Sequence, residues 1–112
     1  RLLKEPADRF LDRHFTDAER TAAGSGGVLA EKIASRFAVK EAVMKALGVG
    51  WGDGVSFTDV EVVTDSAGAP SVVLRRQLED IAKNRAIVRW LVSTSHAGSI
   101  AMASVIALGD GR

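Results

Sequence analysis

The chain has no cysteine, so it can build neither a disulfide framework nor a thiolate metal site. No apolar run approaches the roughly 20 residues of a membrane span, and no stretch reads as a signal peptide. These absences suit a cytoplasmic protein that does not act at a membrane. Charge of one sign is also scarce. The formal net charge is +1 at pH 7, which argues against a generic nucleic-acid binder, although uneven placement of the positive residues leaves room for local patches. Only two histidines occur, His14 and His96. No third ligand is spaced for a histidine zinc site, and no Ser-His-Asp order is persuasive. The remaining composition, 46% hydrophobic and 26% charged over 112 residues, is that of one globular domain with one core, taken as residues 1–112. The first residue is Arg1, inside what reads as helix, and residues preceding it are expected.

Residues Arg1 to about Leu11 predict a helix that Pro6 kinks or splits. Thr16 and Glu19 have capping-box spacing for the next helix. Thr21 to Gly27 is small and Gly-rich, which predicts a flexible connector. A long helix follows from about Val28 to Leu47, then a loop, Gly48 to Gly54, with four glycines in seven residues. It is no P-loop, because no Gly-Lys-Ser/Thr opens a helix. Val60–Thr64 and Ser71–Leu74 predict a hairpin turned at Asp65–Pro70, and Arg75–Asn84 a short helix. Ala86–Ser95 and Ile100–Leu108 predict a second, central hairpin joined through Ser95–Ser99. The order helix, helix, hairpin, helix, hairpin predicts an α+β fold, its largely antiparallel sheet packed on one long helix and shorter helices.

The long helix breaks its own pattern. At about 100° per residue, Leu29, Ile33, Phe37, Met44 and Leu47 form one apolar stripe, and Lys40 falls inside it. Glu41 lies on one flank with Lys45 one turn on; Arg36 borders the other. One reading is that Lys40 snorkels and Glu41–Lys45 is a solvated pair worth a few tenths of a kcal/mol. The other is that these groups hold a metal and a phosphorylated ligand, because buried charge must pair, bind a metal or line a polar cleft. Glu41 is a hard oxygen ligand suited to magnesium, which takes one or two carboxylates, waters and phosphates. Lys45, Lys40 and Arg36, with the glycine-rich loop beyond, suit a pyrophosphate. No second carboxylate is convincingly placed. His96 follows Ser93-Thr94-Ser95 in an expected polar turn, where it could donate to phosphate, act as acid or base, or simply terminate a strand. His14 reads as structural or surface.

The run Arg36-Phe37-Ala38-Val39-Lys40-Glu41-Ala42-x-x-Lys45-Ala46-Leu47-Gly48 resembles the central motif of the 4′-phosphopantetheinyl transferases, in their short holo-acyl-carrier-protein synthase type. Arg9-Phe10-x-x-Arg13-x-Phe15-Thr16-x-x-Glu19, Asp59-Val60-Glu61-Val62 and Val92-Ser93-x-Ser95-His96 match in family order. The resemblance implies transfer of the phosphopantetheine arm of coenzyme A to a serine of apo acyl carrier protein, with release of adenosine 3′,5′-bisphosphate. It implies that Glu41 ligates Mg2+ and that Lys45 binds the pyrophosphate and protonates the leaving group. Arg36, Lys40, Gly48, Ser93 and His96 would serve coenzyme A, with Arg36 and His96 near its nucleotide and 3′-phosphate. Arg9, Phe10 and Arg13 would dock the acidic carrier protein. It further implies a homotrimer with active sites between subunits. The family's first motif, a strand ending in Gly-x-Asp whose aspartate is the other metal ligand, is not among these 112 residues. Ala97 stands where some relatives carry an acidic residue. The general base stays open between Glu41, a metal-bound water and that aspartate. Two other classes compete: a noncatalytic module binding coenzyme A or an acidic partner through Arg9, Arg13 and Lys40, and a plain structural oligomer.

Overall fold

The computed structural model describes residues 6–24, 26–50 and 52–110, with the side chains of 6–8 and 26–29 outside that description. Nine elements follow in order: α1 Pro6–His14, α2 Asp17–Ala23, α3 Gly26–Leu47, a 3-10 turn Phe57–Asp59, β1 Val60–Thr64, β2 Pro70–Leu74, α4 Arg76–Asn84, β3 Ile87–Ala97 and β4 Ile100–Gly109. The fold is α+β with antiparallel pairing throughout, as expected. Among the described residues the strands make two hairpin ladders, β1–β2 and β3–β4, and not one continuous sheet. No described helix is long and apolar enough to cross a membrane.

Some sequence expectations need correction, and others fall outside the described residues. Among the described residues α1 runs from Pro6 to His14, and the kink or split expected at Pro6 falls against Arg1–Glu5, outside them. The part of that helix expected over Arg1–Glu5, with Leu2 and Leu3, lies outside the described residues, as do Ser25 and Trp51 in the two glycine-rich stretches and the side chain of Leu29. The connector expected over Thr21–Gly27 is largely helix: α2 runs to Ala23, which is fully buried, and α3 begins at Gly26. In the second hairpin the strands run further than expected, because Ala97 pairs with Ile100 and only Gly98 and Ser99 turn the chain. Gly98 takes a positive φ of 60° there, a conformation glycine adopts without steric cost.

The capping box is present in full. Thr16 Oγ1 accepts from the Glu19 N–H at 3.1 Å, and Glu19 Oε1 accepts from the Thr16 N–H at 2.9 Å. At the other end of the helical region, α3 stops in a Schellman motif. The Gly48 N–H donates to Lys45 O and the Val49 N–H to Met44 O, both at 3.0 Å. Gly48 has φ 71°, which is why glycine ends this helix.

The core gathers Val39, Val43, Met44 and Leu47 of α3 with Phe57, Val60, Val62 and Leu78. Arg75 and Arg76, at the start of α4, pair with Glu61 and Asp59 and tie α4 to the 3-10 turn and β1. The second hairpin is not central in the single chain. Alternate residues of β3 and β4, including Trp90, Val92, Ala103 and Val105, pack on the core, while Leu91, Ile100, Met102 and Ile106 are exposed on the outer face. Strand period 2 produces this division.

Candidate active site

α3 carries most of the candidate residues, and its spacing separates them. Lys40 is the pivot. The wheel places it in the buried stripe, and its side chain is 0% exposed. It does not snorkel. Its ammonium donates to Glu19 Oε1 and to Phe57 O, each at 2.8 Å, and to Val60 O, and it lies 5.1 Å from the Phe15 ring centroid. Three acceptors use all three ammonium protons. Lys40 therefore has no donor left for a ligand, and its assignment to coenzyme A is corrected: it ties α3 to α2 and to the 3-10 turn. Burial pushes the Lys40 amine below the usual lysine range, against the hydrogen bond and charge of Glu19. Glu19 is the matching buried acid, with its other oxygen accepting from the Val62 N–H at 2.7 Å.

On one flank of α3, Arg36 is 6% exposed. It lines a cavity of about 320 Å3 together with Glu31, Lys32, Ser35, Thr94 and His96, closed by Val39, Val62, Thr64, Gly68 and Pro70. The Arg36 Nε is buried and has no hydrogen-bond partner among the described residues. An unsatisfied guanidinium N–H is costly unless something outside the chain completes it. His96 sits within β3, paired with Ala101, and not in a polar turn. Thr94 lies two residues before it and shares its face. Ser93 points the other way, opposite Ser104 on the ladder, so it is Thr94 and not Ser93 that lines this cavity. Strand period would have identified Thr94 had β3 been read through to Ala97. Lys32 and Pro70 carried no local signal.

On the opposite flank, Glu41 and Lys45 are both exposed. Among the described residues neither has an ion-pair partner, so they do not neutralise each other. Glu41 follows Arg36 by five residues, roughly 140° around the helix. Gly48 is exposed just beyond Lys45. A free, exposed carboxylate beside a free ammonium fits a magnesium ion whose other ligands are water and phosphate oxygens. Among the described residues no three His, Asp or Glu side chains converge as a metal cluster.

α1 adjoins the Glu41 flank. Phe10 is 41% exposed and its ring centroid lies 5.7 Å from that of Phe37, one turn before Glu41. Arg9, Phe10, Arg13 and His14 line a shallow cavity of about 210 Å3. His14 is structural: it is 8% exposed, its Nδ1 lies 2.8 Å from Phe10 O, and its ring stacks on Phe10 at 4.3 Å.

The structure thus brings Arg36 to His96 and Glu41 to Lys45, but places the two pairs on opposite sides of one helix. A profile of the 4′-phosphopantetheinyl transferase superfamily matches residues 1–103. The chain belongs to this family. It is 37% identical to the holo-[acyl-carrier-protein] synthase of Geobacter sp. (strain M21) over 106 residues, 95% of this chain and 85% of that protein. Among solved structures, the Bacillus anthracis holo-(acyl-carrier-protein) synthase in complex with CoA (3′,5′-ADP) superposes with a TM-score of 0.76 at 35% identity, over 93% of this chain and 84% of that one. The Neisseria meningitidis synthase superposes with a TM-score of 0.80 at 29% identity, over 92% and 82%.

Proposed function

We propose that the protein transfers the 4′-phosphopantetheine group of coenzyme A to a serine of apo acyl carrier protein. The observation that carries this reading is the cavity that the buried Arg36 shares with Lys32 and His96, in a chain of this family. A phosphate is the natural complement to that guanidinium, and the 3′-phosphate of coenzyme A fits the role.

In the reaction, the serine oxygen bonds to the β-phosphorus while the bridging bond to the adenosine bisphosphate oxygen breaks. The serine proton passes to a general base, for which Glu41 is a candidate among the described residues, and the departing phosphate can take a proton from Lys45. Phosphoryl transfer of this kind depends on positioning and charge neutralisation. Lys45 lies one turn from Glu41, where it can hold the pyrophosphate. Magnesium bound at Glu41 would add charge neutralisation on the phosphate oxygens. Gly48, with its exposed left-handed backbone, leaves room for the ligand beside Lys45. Arg9, Phe10 and Arg13 offer cations around an exposed aromatic ring, suited to an acidic carrier protein.

Arg36 and Glu41 lie on opposite flanks of α3, so a site using both within one chain would have to reach around the helix. A neighbouring copy supplies the second half. The apolar outer face of β3–β4, with Leu91, Ile100, Met102 and Ile106, is the surface on which copies meet, most simply as a closed homotrimer. A cytoplasmic location follows from the carrier-protein substrate and the cysteine-free composition.

The test is intact-mass analysis of apo acyl carrier protein after incubation with coenzyme A, Mg2+ and the full chain. A phosphopantetheine mass gain is expected, reduced by a factor of about 100 or more in Glu41→Ala and in Lys45→Ala. Both variants retaining activity within about threefold would refute the assignment. Coenzyme A binding without any mass gain, across several carrier proteins, would leave a binding module.

A further inference from the structure

Among the described residues Glu31 is the only acidic side chain lining the Arg36 cavity. Its Oε2 stands 3.6 Å from His96 Nε2, and the two side chains are 60% and 51% exposed. That separation is longer than a hydrogen bond, so the pair is held loosely. The same two residues also border a second cavity of about 230 Å3, lined by Ala30, Ala34, Gly98, Ser99, Ile100 and Ala101. The Glu31–His96 pair is therefore the wall between the two spaces.

We propose that Glu31 is a resident counter-anion in this site. It occupies His96 while the site is empty and yields to an arriving phosphate, so that it limits affinity for the 3′-phosphate of the nucleotide and hastens loss of the bisphosphate product. The proposal rests on the function proposed above.

The geometry supplies the reasons. His96 faces Glu31 with Nε2, and one ring nitrogen donates through a single N–H. The carboxylate and an arriving phosphate oxygen would compete for that one donor, which at 3.6 Å Glu31 faces without a hydrogen bond. An exposed contact of this length contributes little by itself, so the exchange is cheap. Once a phosphate is seated among Arg36, Lys32 and His96, the Glu31 carboxylate is the one like charge on the wall among the described residues, and it repels the ligand. If Glu31 served only to orient His96, removing its charge would have the opposite effect and weaken phosphate binding. The two roles differ in sign.

The experiment is calorimetric titration of the full chain with adenosine 3′,5′-bisphosphate and with adenosine 5′-monophosphate. Glu31→Gln is expected to tighten the bisphosphate by roughly three- to tenfold and to leave the monophosphate within about twofold. Glu31→Ala tightens it as well, showing that lost charge and not a new amide contact is responsible. His96→Ala combined with Glu31→Gln removes the gain. Unchanged or weaker bisphosphate binding in both Glu31 variants, with the wild-type preference for the bisphosphate intact, overturns the role of Glu31 alone. An equal gain for both nucleotides also overturns it. A wild-type chain that binds the two nucleotides equally overturns the assignment of the cavity to the 3′-phosphate, and this proposal with it.

Discussion

Replacing Lys40 by methionine keeps the length of the side chain and removes its charge. Phe57 O and Val60 O then lose the Lys40 ammonium, Phe57 O keeping the Val60 N–H as donor, and the Glu19 carboxylate loses its counter-ion inside the protein. Breaking a buried pair from one side costs about 3–5 kcal/mol. Glu19 keeps the Thr16 and Val62 N–H groups as donors at 2.9 and 2.7 Å, which favours the lower end, about 3 kcal/mol. A domain of this size holds about 5–15 kcal/mol in all, so the loss is large, and at about 4 °C per kcal/mol it lowers Tm by about 12 °C. Urea unfolding followed by circular dichroism measures the change directly. A Lys40→Met, Glu19→Gln double-mutant cycle should return a coupling of about 1 kcal/mol or more, because the amide needs no counter-ion. The KM for coenzyme A of the folded variant should stay within about threefold of wild type. A stability loss below about 1 kcal/mol, or a KM rise of more than about tenfold at unchanged stability, would show that Lys40 acts on ligand and refute the structural role.

Two further outcomes can be stated. The hydrogen bond from Arg75, aided by that from Thr16, holds the Glu61 carboxyl below its usual 4.5 against the cost of burial. A lowered carboxylate pKa stabilises the fold above the unfolded value and is lost as pH falls through the folded one. Wild type should therefore lose stability as pH drops below 4.5, and Glu61→Gln should flatten that part of a melting-temperature profile; an unchanged acid limb would count against the pair. Ile106→Asp places a charge on the exposed outer face, where Ile106 is 56% exposed and pairs with Leu91. It should leave the monomer folded by circular dichroism yet shift sedimentation to the monomer and abolish transfer. An oligomer unmoved by the charge would place the contact elsewhere.

Local chemistry made much of this fold readable. β1 has its expected bounds because Val60–Thr64 alternates and Asp65 turns the chain, accepting from the Ala67 and Ala69 N–H groups at 2.9 Å. The capping box and the glycine stop of α3 are likewise contained within a few residues. Failures came where distant packing decided. The helix through Thr21–Ala23 is held by burial of Ala23, which a Gly-rich neighbourhood disguises. His96 remains in a strand because Ala97 still finds Ile100 across a two-residue turn. Lys40 was visibly anomalous, but its partners lie 21, 17 and 20 residues away, beyond any helical-wheel argument. In the candidate site, the spacing of Glu41 and Lys45 and the opposite flank of Arg36 were legible from the helix alone. The meeting of Arg36 with His96 and Thr94, and the inner and outer faces of β3, belong to tertiary structure.

The placement of Arg36 and Glu41 on opposite sides of α3 means that, in the proposed assembly, no copy owns a catalytic centre. Each lends one flank to the neighbour on its left and the other to the neighbour on its right. Two dead chains, one lacking Arg36 and one lacking Glu41, carry their lesions in different halves. Where both kinds enter one ring of three, one site takes both lesions, one takes a single lesion and one is wholly intact. Co-assembly of two inactive proteins thus regenerates activity, a complementation that a centre built within one chain could not produce.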